Sequence, residues 1–539
     1  MAAKQIALRP DGELGKMVLM RRGSDVLAGS AVLADALPPE LSAQAEMPSD
    51  GLAGITLAEA SAMIHAGKVT PTELTNACLG RIAIYAPKLD CFITVIREKA
   101  LAQAAVLDAE QKAGKLRGPL HGIPIALKDN IDTAGTLTTA GSGVFKDRVP
   151  TQDAPVVTRL VSAGAIILGK TNMHEFAMGG GDVSYFGPAR NPWNLAHNTG
   201  GSSSGSGAAV SADLCYAALG TDTAGSVRMP ACYCGVVGIK ATYGLVPIRN
   251  IAPESVSLDH CGPLARSVED AAMMLNVMAG YDKLDIFSVD RPREDYVAGM
   301  KQPVSRFRLG IPTGALDPGT NGSSEVIAVV KTAIGLLATM TQGAKEVTLP
   351  PVVGLRATSE TLAYHEEYFK AKSDLYQPTT RKRLEALALS NVSAEDYVRD
   401  RWATLKLRRV IDDAFTDFDL VLMPTLKTKP PVLNDMLKRD MESVQGIAPA
   451  GMGTGGSGGS GRSGITSVGA YDSYGIPSIS VPCGFTQDGL PVGLMICGPH
   501  FSESKVFALA AAYEKATQWH LKKPPLTPGT PVPALIDRL

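Results

Sequence analysis

Glycine loses more conformational freedom on folding than any other residue. Even so, the stretch Gly200 to Lys240 (GGSSSGSGAAVSADLCYAALGTDTAGSVRMPACYCGVVGIK) gathers glycine and serine into two clusters, Gly200 to Gly207 and Gly220 to Ser226. A flexible linker would explain such density in a polar chain. Here apolar, core-like runs (AAV, LCYAAL, VVGIK) interleave with the glycines and follow them, so the stretch belongs inside a folded domain. The other reason for glycine is backbone brought close to a reacting group, with N–H donors aimed at a developing negative charge.

Helix and strand signals alternate on both sides of this stretch. Folded sequence begins near Ile55, where TLAEASAMIHAGKVTPTELTNACLGRIAIYAP predicts two helices split at Thr70-Pro71, with proline at a first helical position. A helix follows over Ala100 to Ala113, then a short buried strand over Ile123 to Leu127 that ends in Lys128-Asp129-Asn130. A lysine at the mouth of an apolar strand is costly to bury unless it is partnered or neutral. Taken alone, it reads as a solvated strand-end lysine. Further on, Val156 to Ala163 is a helix and Ala165 to Leu168 a strand, and Ser267 caps the run that opens at Val268. Strands are predicted over Arg306 to Ile311, Asp419 to Met423, Ile476 to Gly484 and Leu490 to Gly498, with helices over Val326 to Met340, within Tyr364 to Phe415, and over Ser504 to Thr517. The alternation predicts an α/β fold: a central mixed β-sheet covered on both faces by α-helices, in a single large domain over residues 47–539.

Several functions are excluded on physical grounds. Gly164-AIIL-Gly169-Lys170-Thr171 satisfies the letter of a phosphate-loop pattern. A phosphate loop needs its strand before the first glycine, whereas this chain puts AIIL between the two. Lysine plus arginine (52) nearly cancels aspartate plus glutamate (53), which leaves no electrostatic footprint for nucleic acid. No apolar run reaches the length of a membrane span. The eight cysteines (78, 91, 215, 232, 234, 261, 483, 497) form no CxxC pair and read as small buried hydrophobes. Cys232, Cys234, His260 and Cys261 do not have a usual zinc spacing, so no metal is expected.

The first 46 residues differ from the rest. Met20-Arg21-Arg22, then LAGSAVLADALPPELSAQA ending in Ala43-Gln44-Ala45, resembles a twin-arginine export signal, though Asp25 and Asp35 depart from its pattern. The alternative is a disordered or loosely docked extension. Cytoplasm and periplasm both remain open. Gly451 to Gly464 (GMGTGGSGGSGRSG) reads as a surface loop, with a lid over a site as the alternative.

The serines need a base. None of the eight histidines sits in a recognisable motif, and Thr223-Ala224-Gly225-Ser226-Val227 is no GxSxG elbow. Serine catalysis without histidine is possible if a neutral lysine serves as base, and Lys128 at the end of its apolar strand is the natural candidate. At this point a resemblance emerges. Gly200-Gly201-Ser202-Ser203-Ser204-Gly205-Ser206, Gly220-Thr221-Asp222-Thr223-Ala224-Gly225-Ser226-Val227-Arg228 and Pro230-Ala231 resemble the amidase signature family, with Ser202 and Ser226 spaced 24 residues apart as in that family. Gly122-Ile123-Pro124 with Lys128-Asp129-Asn130, Gly169-Lys170-Thr171-Asn172, Arg190-Asn191-Pro192-Trp193, Gly475-Ile476-Pro477 and Gly489-Leu490-Pro491-Val492-Gly493 fit in the same order.

The resemblance implies the amidase signature fold. It makes Ser226 the nucleophile, Ser202 (held in a cis peptide in the family) the proton relay and neutral Lys128 the base. It gives an oxyanion hole from the N–H groups of Thr223, Ala224, Gly225 and Ser226, with Ser203, Asp222 and Arg228 in support. Met173, Phe176, Met178, Gly179 and Tyr185 are expected near the substrate, with Phe176 and Met178 equally readable as core. Ala224 stands where many members have glycine, which leaves the N–H donor in place. The implied activity is hydrolysis of a small-molecule amide without metal or organic cofactor, with a homodimer as a form found among relatives. Carbamate or urea-derivative hydrolysis, and a glutaminase-like A subunit of a tRNA-dependent amidotransferase, are the alternatives on the same machinery.

Overall fold

Two threonines set the start of the described chain. Thr56 and Thr70 each accept the N–H of a glutamate three residues on, whose carboxylate accepts the threonine's own N–H. These capping boxes satisfy helix N–H groups that would otherwise lack partners, and they open α1 (Leu57–His65) and α2 (Pro71–Leu89). A short turn of helix over Asp50–Gly54 precedes them, so ordered chain starts ahead of Ile55. The computed structural model describes residues 50–178, 184–352, 358–390, 392–445 and 466–536. The N-terminal extension 1–46, Gly179 and the glycine-rich 451–464 lie outside these described residues.

The strands, in chain order, are β1 (Phe92–Val95), β2 (Pro124–Lys128), β3 (Ile166–Thr171), β4 (Arg190–Asn191), β5 (Asn194–Asn198), β6 (Ala217–Asp222), β7 (Val237–Lys240), β8 (His260–Ala265), β9 (Leu309–Pro312), β10 (Ala344–Val347), β11 (Leu420–Pro424), β12 (Ser478–Phe485) and β13 (Pro491–Cys497). Eleven form one sheet in the order β1-β3-β2-β6-β8-β7-β12-β13-β11-β9-β10, while β4 and β5 pair as a separate ribbon. β3, β2 and β6 run parallel, as do β11, β9 and β10; the strands between β6 and β11 alternate in direction. β2, β3, β6 and β13 are buried along their whole length. Helices flank this mixed sheet, which accounts for the continuous apolar runs in its central strands.

Two local outcomes bear on function. The strand predicted to stop at Leu168 runs on to Thr171 as β3, so Gly169, Lys170 and Thr171 are ladder residues and cannot wrap a phosphate. A helix that the sequence did not announce, α3 (Ser204–Ser211, SGSGAAVS), carries the end of the first glycine–serine cluster and is fully buried. Its glycines allow close approach. A Cβ on Gly205 would lie 2.5 Å from the Asn172 N and 2.7 Å from the Asn172 O, so only hydrogen lets α3 rest on the end of β3. The Gly205 N–H then donates to the Asn172 carbonyl at 2.9 Å. A second short helix, α4 (Arg228–Cys234), starts directly after the second cluster.

Candidate active site

β2 and β6 are parallel neighbours in the interior of the sheet with Leu127 opposite Leu219, so Lys128 and the second cluster emerge at the same C-terminal end of adjacent strands. Lys128 is fully buried, and its Nζ lies 2.7 Å from Ser202 Oγ and 2.6 Å from Thr221 Oγ1. Asn130 Nδ2 donates to the same threonine hydroxyl at 3.2 Å. Burial pushes the Lys128 ammonium down to about 7, against the pull of the Glu254, Asp222 and Asp259 carboxylates. A neutral amine is therefore accessible near neutral pH, within hydrogen-bond reach of a serine hydroxyl. That arrangement can pass protons.

The two serine clusters are tied to each other. The Gly201–Ser202 peptide is cis. The Ser203 N–H donates to the Ser226 carbonyl at 3.3 Å, and the Ser203 hydroxyl accepts the Thr221 N–H and donates to the Thr221 carbonyl, both at 3.2 Å. Ser226 is 6% exposed, on the turn between β6 and α4.

Asp222 organises that turn. Its carboxylate accepts the N–H of Gly225 at 2.5 Å and of Val227 at 3.1 Å, and it takes Arg228 Nε at 3.0 Å and Nη2 at 2.9 Å. Arg228 reaches on to Asp472 Oδ2 at 2.5 Å and the Val468 carbonyl at 2.9 Å. Burial works to raise the Asp222 pKa, but the Arg228 guanidinium overrides it and holds the carboxyl well below the usual carboxylate range. The sequence-predicted pair Asp222 and Arg228 is thus a buried ion pair that fixes the turn beside Ser226. Of the four N–H groups predicted for an oxyanion hole, that of Gly225 is committed to Asp222. The donors on which such a hole can be argued are those of Thr223, Ala224 and Ser226.

Thr223 is anchored from outside, its hydroxyl donating to Asp259 Oδ1 at 2.6 Å. A cavity of about 350 Å³ adjoins this side, with Thr221, Thr223, Glu254, Asp259 and His260 in its wall. The described residues among those predicted near the substrate gather around residues 140–145: the Tyr185 N–H donates to the Gly141 carbonyl, the Phe176 N–H donates to the Ala140 carbonyl, and the Met173 carbonyl lies against Gly141. Met173, Phe176 and Met178 are buried, and Tyr185 is 37% exposed. Phe176 packs edge-on against Phe145 at 5.1 Å and His365 at 4.6 Å, so it belongs to an aromatic core cluster. All eight cysteines are buried and free, and no group of three or more metal-ligating side chains occurs among the described residues. Nor is any described helix long and apolar enough to cross a membrane.

Sequence reasoning gave no role to Thr221, Asn130, His174, Glu254 or Asp472. Thr221 was within sight, inside the second cluster. Asp472 had no local signal, since the contact it makes spans 244 residues of chain.

The fold and this serine-rich site place the chain among enzymes that cleave amide C–N bonds. It belongs to the amidase (amidase signature) family, whose model matches residues 73–507. It is 36% identical over 488 residues to the A subunit of the glutamyl-tRNA(Gln) amidotransferase of Lachnospira eligens, an alignment covering 86% of this chain and 98% of that protein. The corresponding A subunit from Thiobacillus denitrificans is likewise 36% identical, over 89% of this chain and 99% of its own length. Among solved structures, the native peptide amidase of Stenotrophomonas maltophilia superposes with a TM-score of 0.72 at 33% identity, covering 88% of this chain and 99% of its own. A 6-aminohexanoate cyclic dimer hydrolase complexed with substrate gives a TM-score of 0.76 at 27% identity, with the same coverage.

Proposed function

We propose that the chain hydrolyses a carboxylic acid amide through a serine acyl-enzyme, with Ser226 as nucleophile, Ser202 as relay and neutral Lys128 as base. The observation that carries this reading is the buried Lys128 Nζ at 2.7 Å from Ser202 Oγ. In this account, Lys128 takes the Ser202 proton while Ser202 takes that of Ser226, whose Oγ attacks the amide carbon. The N–H groups of Thr223, Ala224 and Ser226 receive the oxyanion, and losing one such donor typically costs about 10²–10³ in rate. The proton returns through Ser202 to the leaving nitrogen, the C–N bond breaks, and amine or ammonia departs. Water then attacks the ester carbonyl, gives up its proton along the same path, and frees Ser226.

The substrate of this reading is a small-molecule amide, and carbamates or urea derivatives suit the same chemistry. A second reading is favoured by the two relatives at 36% identity, which are amidotransferase A subunits. On that reading glutamine is the amide and partner chains complete the enzyme. Ammonia or amine release from a panel separates the readings: aliphatic amides, an acyl anilide, a peptide amide, a carbamate, a urea derivative and glutamine. Turnover of a non-glutamine amide by the chain alone supports the first reading. Turnover confined to glutamine supports the second.

A further inference from the structure

Beside the relay stands a side chain that none of these steps uses. His174 follows β3 and is buried, and its backbone N–H donates to the Ser202 carbonyl at 3.1 Å. Its ring lies against Gly201. A Cβ built there would fall within sub-contact distance of Cε1 and Nε2 and 2.6 Å from Nδ1, separations that real side chains do not show. The obstacle is the body of a ring rather than the loose end of a long side chain.

The backbone that carries that ring is held in place. The His174 carbonyl accepts the Ala177 N–H at 2.9 Å. The carboxylate of the next residue, Glu175, accepts the Ser142 hydroxyl at 2.6 Å and the Gln377 N–H at 2.9 Å. His174 therefore faces Gly201 from a segment bolted to two distant parts of the chain. From the residue after Gly201, Ser202 Oγ meets Lys128 Nζ at 2.7 Å.

We propose that His174 is a positioning residue of the relay. Its ring fills the place of a side chain at Gly201, and its N–H holds the Ser202 carbonyl. Together they set where Ser202 Oγ stands relative to Lys128 Nζ. The inference rests on the serine–lysine reading above. It goes beyond it in assigning a role to a histidine that no motif announces. A relay atom displaced by about 1 Å costs on the order of 100-fold in rate.

The test reads the reactivity of Ser226 without any assumption about substrate. An organofluorophosphonate is attacked at phosphorus by Ser226 Oγ; the P–O bond forms, the P–F bond breaks, fluoride leaves, and the serine proton passes through Ser202 to Lys128. The adduct is located by peptide mass spectrometry, and its maximal rate is separated from the half-saturating probe concentration. His174→Ala is expected to slow the maximal rate about ten-fold with the half-saturating concentration unchanged, and Gly201→Ala to slow it about 100-fold. The double variant has room for the new methyl group, so it is expected to react about ten-fold faster than Gly201→Ala alone, a coupling a general loss of stability would not produce. Near-UV circular dichroism checks each fold, and His174→Asn replaces His174→Ala if the latter is unfolded. A folded His174 variant that reacts at the wild-type rate, or a double variant no faster than Gly201→Ala, overturns the inference. Wild-type protein that takes up no probe at Ser226 overturns the serine–lysine reading itself, and the inference with it.

Discussion

The proposed base makes a prediction that can be worked from its surroundings. Burial lowers Lys128 from the ordinary lysine value of 10.5 to about 7. This corresponds to on the order of 5 kcal/mol against the ammonium form. Only the neutral amine can accept the Ser202 proton. The rate constant kcat/KM should therefore rise ten-fold per pH unit up to a midpoint of about 7 and then level off. At about pH 5 it should stand roughly 100-fold below the plateau. Among the charges opposing burial, Glu254 has the largest effect and favours the ammonium. Glu254→Gln removes that charge, so the midpoint should move down and the acid limb should shift to lower pH. The assay is initial-rate release of amine or ammonia across the range, with the best substrate of the panel. A flat profile, a midpoint near that of an exposed lysine, or an upward shift in Glu254→Gln would refute the reasoning.

Three further outcomes follow from the same geometry. The Lys128 pKa is lower in the folded than in the unfolded chain, so this group's own contribution to stability becomes more favourable as pH rises from about 7 towards the ordinary 10.5. The eight buried cysteines, held above their ordinary value, act in the opposite direction, so the reading is the difference in urea midpoint between wild type and Lys128→Met, which should shift in favour of wild type across that window. Arg228→Met leaves Asp222 and Asp472 buried together without their shared cation, and should cost about 3–5 kcal/mol in urea unfolding, with activity lost as the turn beside Ser226 loosens. Gly205→Ala forces a methyl group onto the Asn172 backbone; α3 or β3 must shift, at about 1–3 kcal/mol, and thermal unfolding should report it.

How far the sequence announced all this depends on the range over which each signal acts. The proline at a first helical position after Thr70 and the apolar runs of β2, β11, β12 and β13 are local, and they predict their elements within a few residues. The glycine–serine clusters were legible for a related reason. Backbone that packs on backbone leaves no choice of residue, and Gly205 on Asn172 shows the contact that dictates it. α3 was not legible, because SGSGAAVS has poor intrinsic helix propensity and becomes helical through tertiary packing. β1, β7, β8 and β10 span four to six residues each, too short for a periodicity to stand out. In the candidate site, Lys128 was singled out by its chemistry, and Ser202 and Ser226 by the family resemblance. The partners that hold them came only with the fold. Asp472 meets Arg228 across 244 residues, and His174 meets Gly201 through a contact that exists only once β3 and α3 are packed. Phe176 could be read from its sequence as pocket lining or as core with equal ease, and only the fold shows the aromatic neighbours that put it in a core cluster.

The most direct test of the central claim is to trap the acyl-enzyme during turnover of an amide, by acid quench and peptide mapping. The account predicts the acyl mass on the peptide bearing Ser226, absent in Ser226→Ala and slowed by several orders of magnitude in Lys128→Ala. An acyl group on a different residue, or undiminished turnover by Ser226→Ala, would contradict it.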